Sequence, residues 1–192
     1  MRSKESRRRA VFLDRDDTLI RDTGYLSDPD DIDILPGAAE GLCALNRAGV
    51  PAIVVTNQSG IARGLLDEKT LHVIHARLLK LLKMQGARFD ALYYCPHHPQ
   101  GIVEQYRMTC PCRKPEPGML LQAARDFGLD LTTCFLVGDQ GRDMEAIHRV
   151  GGTGVLIATG REIVLERGPE YVAGDLQDAV RWILEDAEEE ER

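Results

Sequence analysis

No stretch of this sequence approaches the ~20 consecutive apolar residues that a membrane-spanning helix requires. A secretory leader is not expected either. Residues 1–9 are basic, but only a three-residue apolar run, Val11-Phe12-Leu13, follows before charge returns. An excess of positive charge is also missing. Twenty-four Lys and Arg stand against 31 Asp and Glu, for a net charge of −7. That balance argues against a non-specific nucleic-acid binder and leaves room for a local basic pocket. The basic head reads as a solvated tail rather than a nucleic-acid arm. Five cysteines, an odd number, argue against a disulfide framework. No internal repeat and no linker composition is visible. The expectation is a cytoplasmic protein of one domain over residues 1–192, with no membrane partner, acting as a monomer.

What the sequence does have is a series of short apolar runs, each ending in polar, chemistry-bearing residues. The first, Ala10-Val11-Phe12-Leu13, reads as a buried strand that delivers Asp14 and Asp16, then Thr18. At the carboxyl end of a strand in an open α/β sheet, such side chains emerge where ligands bind. Two carboxylates that close repel unless a cation or a proton intervenes. Mg²⁺ is one solution, and a division into nucleophile and general acid/base is another. An N-cap or a plain acidic turn is the bland alternative.

The second run, residues 51–55, ends in Thr56-Asn57-Gln58-Ser59-Gly60, which offers hydroxyl, amide and backbone donors to a phosphate. An ordinary polar turn would have the same composition. Asp67 is placed to cap a helix running to about residue 85, with Leu71, Ile74, Leu78 and Leu82 on its core face. His72 and His75 are assigned to its surface and given no role. A strand over residues 89–94 runs into Cys95-Pro96-His97-His98, and Cys110-Pro111-Cys112 closes that segment. Three thiols and an imidazole form a standard structural Zn²⁺ set with no open position. At this level His98 competes with His97 as the fourth ligand. Cys43 and Cys134 read as core residues.

Arg113 and Lys114 follow directly and supply two cations, either for a phosphate or for solvent. A helix over 118–127 is closed by Gly128. The fourth strand, residues 134–137, delivers Asp139 and, four residues on, Asp143. A helix to about residue 150, a fifth strand over 155–158 with Thr159-Gly160-Arg161 as its exit, a short strand at 171–172 and a helix over 175–186 complete the pattern. The tail from about 186 reads as acidic and frayed. Strands alternating with helices predict an α/β fold with a doubly wound, mostly parallel sheet. The successive strand ends then bring carboxylates, a hydroxyl, amides and cations together, which are the parts of a phosphoryl-transfer site.

In these motifs the sequence resembles the haloacid dehalogenase (HAD) superfamily. The matching segments are Asp14-Arg15-Asp16-Asp17-Thr18, Val55-Thr56-Asn57, Lys114, and Gly138-Asp139 with Asp143, over about residues 10–160. Tyr25, residues 56–64, residues 94–99 and residues 110–115 are similar to the D-glycero-D-manno-heptose 1,7-bisphosphate 7-phosphatase family. The resemblance implies a Rossmann-like HAD fold without a large cap, carrying a zinc-binding loop over about 95–112. Asp14 is then the nucleophile and Asp16 the general acid/base, while Thr56 and Lys114 stabilise the phosphoryl group. Mg²⁺ is held by Asp14, the carbonyl of Asp16 and Asp139, with Asp143 orienting the site. Zn²⁺ is held by Cys95, His97, Cys110 and Cys112. Asp22, Thr23, Gly24, Tyr25, Asn57, Gln58, Ser59 and Arg113 complete a site for a small phosphorylated sugar. Histidinol-phosphate phosphatase is a relative with the same zinc-ligand types but a shorter segment before the Cys-x-Cys pair. A HAD fold retained for binding alone is the remaining alternative, kept open by two departures. Asp17 stands where the family has Gly, and Gln140 stands where it often has Lys, which removes one positive charge from the site.

Overall fold

A computed structural model describes residues 9–160 and 167–190, excepting the side chains of 187–190. Most of the expected basic tail, Arg161 and the end of the expected acidic tail lie outside the described residues. In chain order the elements are β1 (Val11–Leu13), α1 (Ala38–Ala48), β2 (Ala52–Asn57), α2 (Glu68–Met84), β3 (Ala91–Cys95), α3 (Gly118–Phe127), β4 (Phe135–Gly138), α4 (Gly141–His148), β5 (Thr153–Ile157), β6 (Tyr171–Ala173) and α5 (Leu176–Glu190).

The six strands form one sheet in the order β3-β2-β1-β4-β5-β6, and every neighbouring pair is parallel. The chain winds outward from β1 to β3. It then crosses to β4 and winds outward the other way. The order reverses between β1 and β4, where a crevice opens at the carboxyl ends of the strands.

Period-two alternation explains how each strand is covered. Val11 and Leu13 of β1, with Val54 and Val137, face one cluster, which takes in Leu42 and Leu45 of α1, Ile74 and Leu78 of α2, and Val180 and Ile183 of α5. Phe12, Ile53, Val55 and Leu136 point the opposite way, into a cluster with Leu120 and Ala123 of α3 and Ala146 and Ile147 of α4. Both faces of the central strands are therefore buried, which is why their sequences are continuous apolar runs rather than alternating ones.

The helix boundaries follow their caps. The Asp67 carboxylate accepts the Thr70 N–H at 2.7 Å, and Gly128 ends α3 in the left-handed conformation. Several boundaries differ from the sequence expectation: β2 runs on to Asn57 and β5 begins at Thr153. β3 begins at Ala91 and runs on to Cys95, so the first cysteine is the last residue of a strand. α4 stops at His148. α5 continues to Glu190, past the point where a frayed tail was expected. Cys43 is only half-buried, on the rim of the core rather than within it. Between β1 and α1, among the described residues, stand only a 3-10 turn at Pro29–Asp31 and isolated bridges, so no cap-sized unit is inserted there. No described helix is long and apolar enough to cross a membrane.

Candidate active site

The strand ends at the reversal converge as the motifs imply. Asp14 is the first residue after β1, and its N–H donates to the Val137 carbonyl at 2.9 Å, which ties it to β4. Asp139 is the first residue after β4. Asp143 lies in the first turn of α4. One carboxylate oxygen from each of Asp14, Asp139 and Asp143 falls within 4.8 Å of the others, and all three residues are buried. The close approach of Asp143 depends on Gly138: a Cβ at that position would lie 2.5 Å from the Asp143 Cγ.

Lys114 is buried in the same cluster. Its Nζ lies 2.6 Å from Asp143 Oδ1 and 3.0 Å from Asp14 Oδ1, and it donates to the Val55 carbonyl at 2.8 Å. Desolvation pulls the lysine pKa down, but Asp14 and Asp143 together outweigh it and the net shift is upward. Burial pushes the Asp14 pKa up to about 7 against the pull of Lys114, and the neighbouring Asp143 and Asp16 push the same way. Three buried carboxylates with one lysine among them leave excess negative charge. A hard divalent cation with oxygen ligands fits that charge and that donor set.

Asp16 turns the other way. Its carboxylate, a quarter exposed, accepts from Arg15 Nε at 3.0 Å and from Arg15 Nη2 at 2.8 Å, and Gln58 Nε2 donates to it at 2.9 Å. The same Gln58 nitrogen lies 2.7 Å from the buried Thr56 hydroxyl. Arg15 is itself 2 % exposed. Behind it stands His75, whose Nε2 is 3.2 Å from Arg15 Nη1. His75 is thus buried and not on the surface as expected. Desolvation, then Arg15 and His72, depress its pKa to about 3, so it is a neutral acceptor for the arginine.

A cavity of about 350 Å³ opens over these groups. Asp14 and Asp16 line it, as do Asp22, Gly24, Tyr25, Asn57, Gln58, Ser59 and Arg113. Thr23 is exposed and not on its wall, while Thr56 and Lys114 lie buried beneath it. Asn57 spends its amide on the backbone of Lys114, accepting its N–H and donating to its carbonyl, both at 3.0 Å. That reciprocal pair couples the end of β2 to the lysine. Arg63 and Arg142 also line the cavity and carry no assigned role from sequence. Asp17 adopts a left-handed backbone with φ 51°, and its Oδ1 accepts the Asp22 N–H at 2.9 Å, anchoring the loop that carries Tyr25. A larger hollow, about 590 Å³ between α1 and α5, holds none of these residues.

Beside the cavity, Cys95, His97, Cys110 and Cys112 bring their ligand atoms within 4.8 Å of one another. The sulfur–sulfur separations are 3.1–3.4 Å, and His97 Nδ1 lies 3.4 Å from the Cys112 sulfur. Tetrahedral zinc with Zn–S bonds of about 2.3 Å has S···S edges of about 3.8 Å, so the four atoms surround a space of nearly that size. The contact between Cys95 and Cys112 lowers the pKa of the Cys112 thiol and raises that of Cys95, so the pair holds a proton that a metal would displace. His98 faces elsewhere, 3.2 Å from Arg63 Nη2, which resolves the choice between the two histidines in favour of His97.

Comparison with known proteins agrees with this geometry. Residues 111–179 match the family model described as HAD-hydrolase-like. The chain is 44% identical over 158 residues to the D-glycero-beta-D-manno-heptose-1,7-bisphosphate 7-phosphatase of Photorhabdus laumondii, covering 82% of this chain and 84% of that protein. It is 40% identical over 172 residues to the protein of the same name from Escherichia coli K12, covering 88% and 90%. The crystal structure of D,D-heptose 1,7-bisphosphate phosphatase from B. bronchiseptica, complexed with magnesium and phosphate, superposes with a TM-score of 0.81 at 34% identity, covering 93% of this chain and 99% of that one. The chain is therefore a phosphomonoester hydrolase of the HAD type and belongs to the D-glycero-β-D-manno-heptose-1,7-bisphosphate 7-phosphatase family.

Proposed function

We propose that the protein removes the C7 phosphate of D-glycero-β-D-manno-heptose 1,7-bisphosphate through an aspartyl-phosphate at Asp14. The observation that carries the reading is the buried contact of Lys114 with both Asp14 and Asp143 beneath a cavity walled by Asp16 and arginines. An Asp14 carboxylate oxygen attacks phosphorus, and the bond from phosphorus to the C7 oxygen breaks. Asp16 gives its proton to the departing sugar oxygen. It then takes a proton from the water that attacks the aspartyl-phosphate, which releases inorganic phosphate and restores Asp14. Lys114 and the Thr56 hydroxyl stabilise the phosphoryl group in transit.

Asp14, Asp139 and the Asp16 carbonyl are the residues we assign to Mg²⁺, which when bound offsets the charge between the carboxylate and the phosphate dianion. Asp143 orients that set, through Lys114 and through the Gln140 N–H at 3.1 Å. Cys95, His97, Cys110 and Cys112 are assigned to Zn²⁺, which has a structural role there. Asp22, Gly24, Tyr25, Asn57, Gln58, Ser59 and Arg113, which line the cavity, form the sugar site, and Thr23, off its wall, is left out of it. We take the protein to act as a monomer and residues 1–192 to be one HAD-like domain. A site with three cysteine ligands suits the reducing cytoplasm.

The test is phosphate release from both anomers of heptose 1,7-bisphosphate, from histidinol phosphate and from an aryl phosphate, each with Mg²⁺ and with chelator. The expected result is Mg²⁺-dependent hydrolysis that favours the β anomer and falls on the order of a thousandfold or more in Asp14→Asn. A preference for histidinol phosphate would overturn the substrate, and silence on all four would overturn the activity.

A further inference from the structure

The chain carries a net charge of −7, and much of its arginine is neutralised locally, as in Arg21 with Asp33 and Arg149 with Glu145. The active-site cavity departs from that pattern. Arg63, Arg113 and Arg142 all line it, and among the described residues none of the three is paired with a carboxylate. Arg113 donates to the His97 carbonyl at 3.3 Å. Arg63 reaches His98, and its buried Nε has no hydrogen-bond partner. Arg142 is held by Gln140 alone: Nε donates to the Gln140 Oε1 at 2.9 Å, and Nη2 donates to the same oxygen. Three cations lining one cavity of about 350 Å³ are close enough to repel one another.

Like charges held together on a cavity wall, with no carboxylate paired to them, are costly unless a ligand supplies the anion. The Gln140 brace uses two of the five guanidinium N–H groups of Arg142 and fixes its plane, leaving three donors for that ligand. Gln140 is neutral, so it contributes geometry rather than charge.

We propose that Arg142, braced by Gln140, is a specificity-determining residue that binds the second phosphate of the substrate together with Arg113 and Arg63. The inference rests on the bisphosphate reading above and deepens it. One phosphate must reach Asp14 for transfer. The other, at the far end of the sugar, meets the arginine wall. A monophosphate ester places nothing there and leaves the repulsion in place. Gln140 is a positioning residue for Arg142.

The experiment compares kcat/KM for heptose 1,7-bisphosphate and heptose 7-phosphate in the wild type, Arg142→Gln, Arg142→Lys and Gln140→Ala, and measures heptose 1-phosphate binding by calorimetry. Arg142→Gln should lower the bisphosphate-to-monophosphate ratio by about tenfold or more, through KM rather than kcat, and weaken heptose 1-phosphate binding by a similar factor. Arg142→Lys should recover part of the ratio, since it keeps the charge and loses the fork. Gln140→Ala leaves every cation in place and should give a smaller drop in the same direction. An unchanged ratio in Arg142→Gln, or a higher one in Gln140→Ala, would overturn the inference while leaving the activity intact. A wild type with no preference for the bisphosphate would instead overturn the reading on which it rests.

Discussion

At the scale of single residues, Asp16, the carboxylate proposed as acid/base, is held by a buried arginine. Arg15 sits between Asp14 and Asp16 in sequence, points inward, and clamps Asp16 from behind with His75 as its backstop. The burial of His75 sets a pH dependence. Its pKa is 6.5 in the unfolded chain and about 3 in the fold, so the unfolded state binds the proton first as pH falls. The stability that neutral His75 contributes is complete above pH 6.5 and is lost between there and about pH 3, with a slope of at most about 1.4 kcal/mol per pH unit. Urea unfolding followed across that window should show a shallower acid limb in His75→Asn than in the wild type. Parallel limbs would mean that His75 titrates normally in the fold. Asp17 makes a second case. Its left-handed backbone suits Gly, Asn or Asp better than other residues, but only a side chain can accept the Asp22 N–H. Asp17→Gly should change stability by less than about 1 kcal/mol yet raise KM for the sugar phosphate by loosening the Tyr25 loop, while Asp17→Asn retains the wild-type KM. Equal KM values in all three proteins would remove Asp17 from substrate positioning.

Asp14, Asp139 and Asp143 are legible in the sequence because each follows an apolar run and the strand end fixes where it points. Arg15 is not, since a charged residue inside an acidic loop reads by default as solvated. His75 does carry a signal, which a surface assignment overlooks. It lies four residues after Leu71 and three before Leu78, on the flank of the apolar stripe of α2. The grouping of Arg142 with Arg63 and Arg113 joins two loops and the first turn of α4, far apart in sequence, and no local pattern encodes such a through-space arrangement. The charge expected to be missing at Gln140 is supplied two residues later.

At the scale of elements, the long loop between β3 and α3 positions the two cations that follow it. Cys95 ends a strand, Cys112 adjoins Arg113, and Asn57 of β2 holds the Lys114 backbone, so the cysteine–histidine cluster and β2 locate Lys114 between them. The segment would otherwise be a stretch of more than twelve residues with little regular structure, which a compact domain seldom keeps ordered without a staple. Cys110→Ser should lose bound zinc by elemental analysis, become sensitive to proteolysis between residues 96 and 111, and lose at least about tenfold in kcat/KM, none of it restored by excess Mg²⁺. Full activity in a zinc-free variant would show that the loop orders itself. The cysteine pattern is legible as a metal set from ligand count alone. The entry of β3 into Cys95 is not, because strand ends are set by pairing with β2 rather than by local composition.

At the scale of the molecule, the reversal of strand order between β1 and β4 gathers every functional segment on one side of the sheet, and the two hydrophobic layers hold that arrangement rigid. Continuous apolar runs make the parallel sheet readable from the residues alone, and the spacing of the helical segments makes its winding readable too. In the proposed reading one cavity has two ends, a carboxylate end for transfer and an arginine end for the second phosphate. The position of the bond that breaks is therefore the central claim. Phosphorus NMR of the products from D-glycero-β-D-manno-heptose 1,7-bisphosphate, with Mg²⁺ and with chelator, tests it most directly. The prediction is a single phosphate released from C7, heptose 1-phosphate as the sole organic product, and no turnover in chelator. Release from C1, or loss of both phosphates at similar rates, would contradict it.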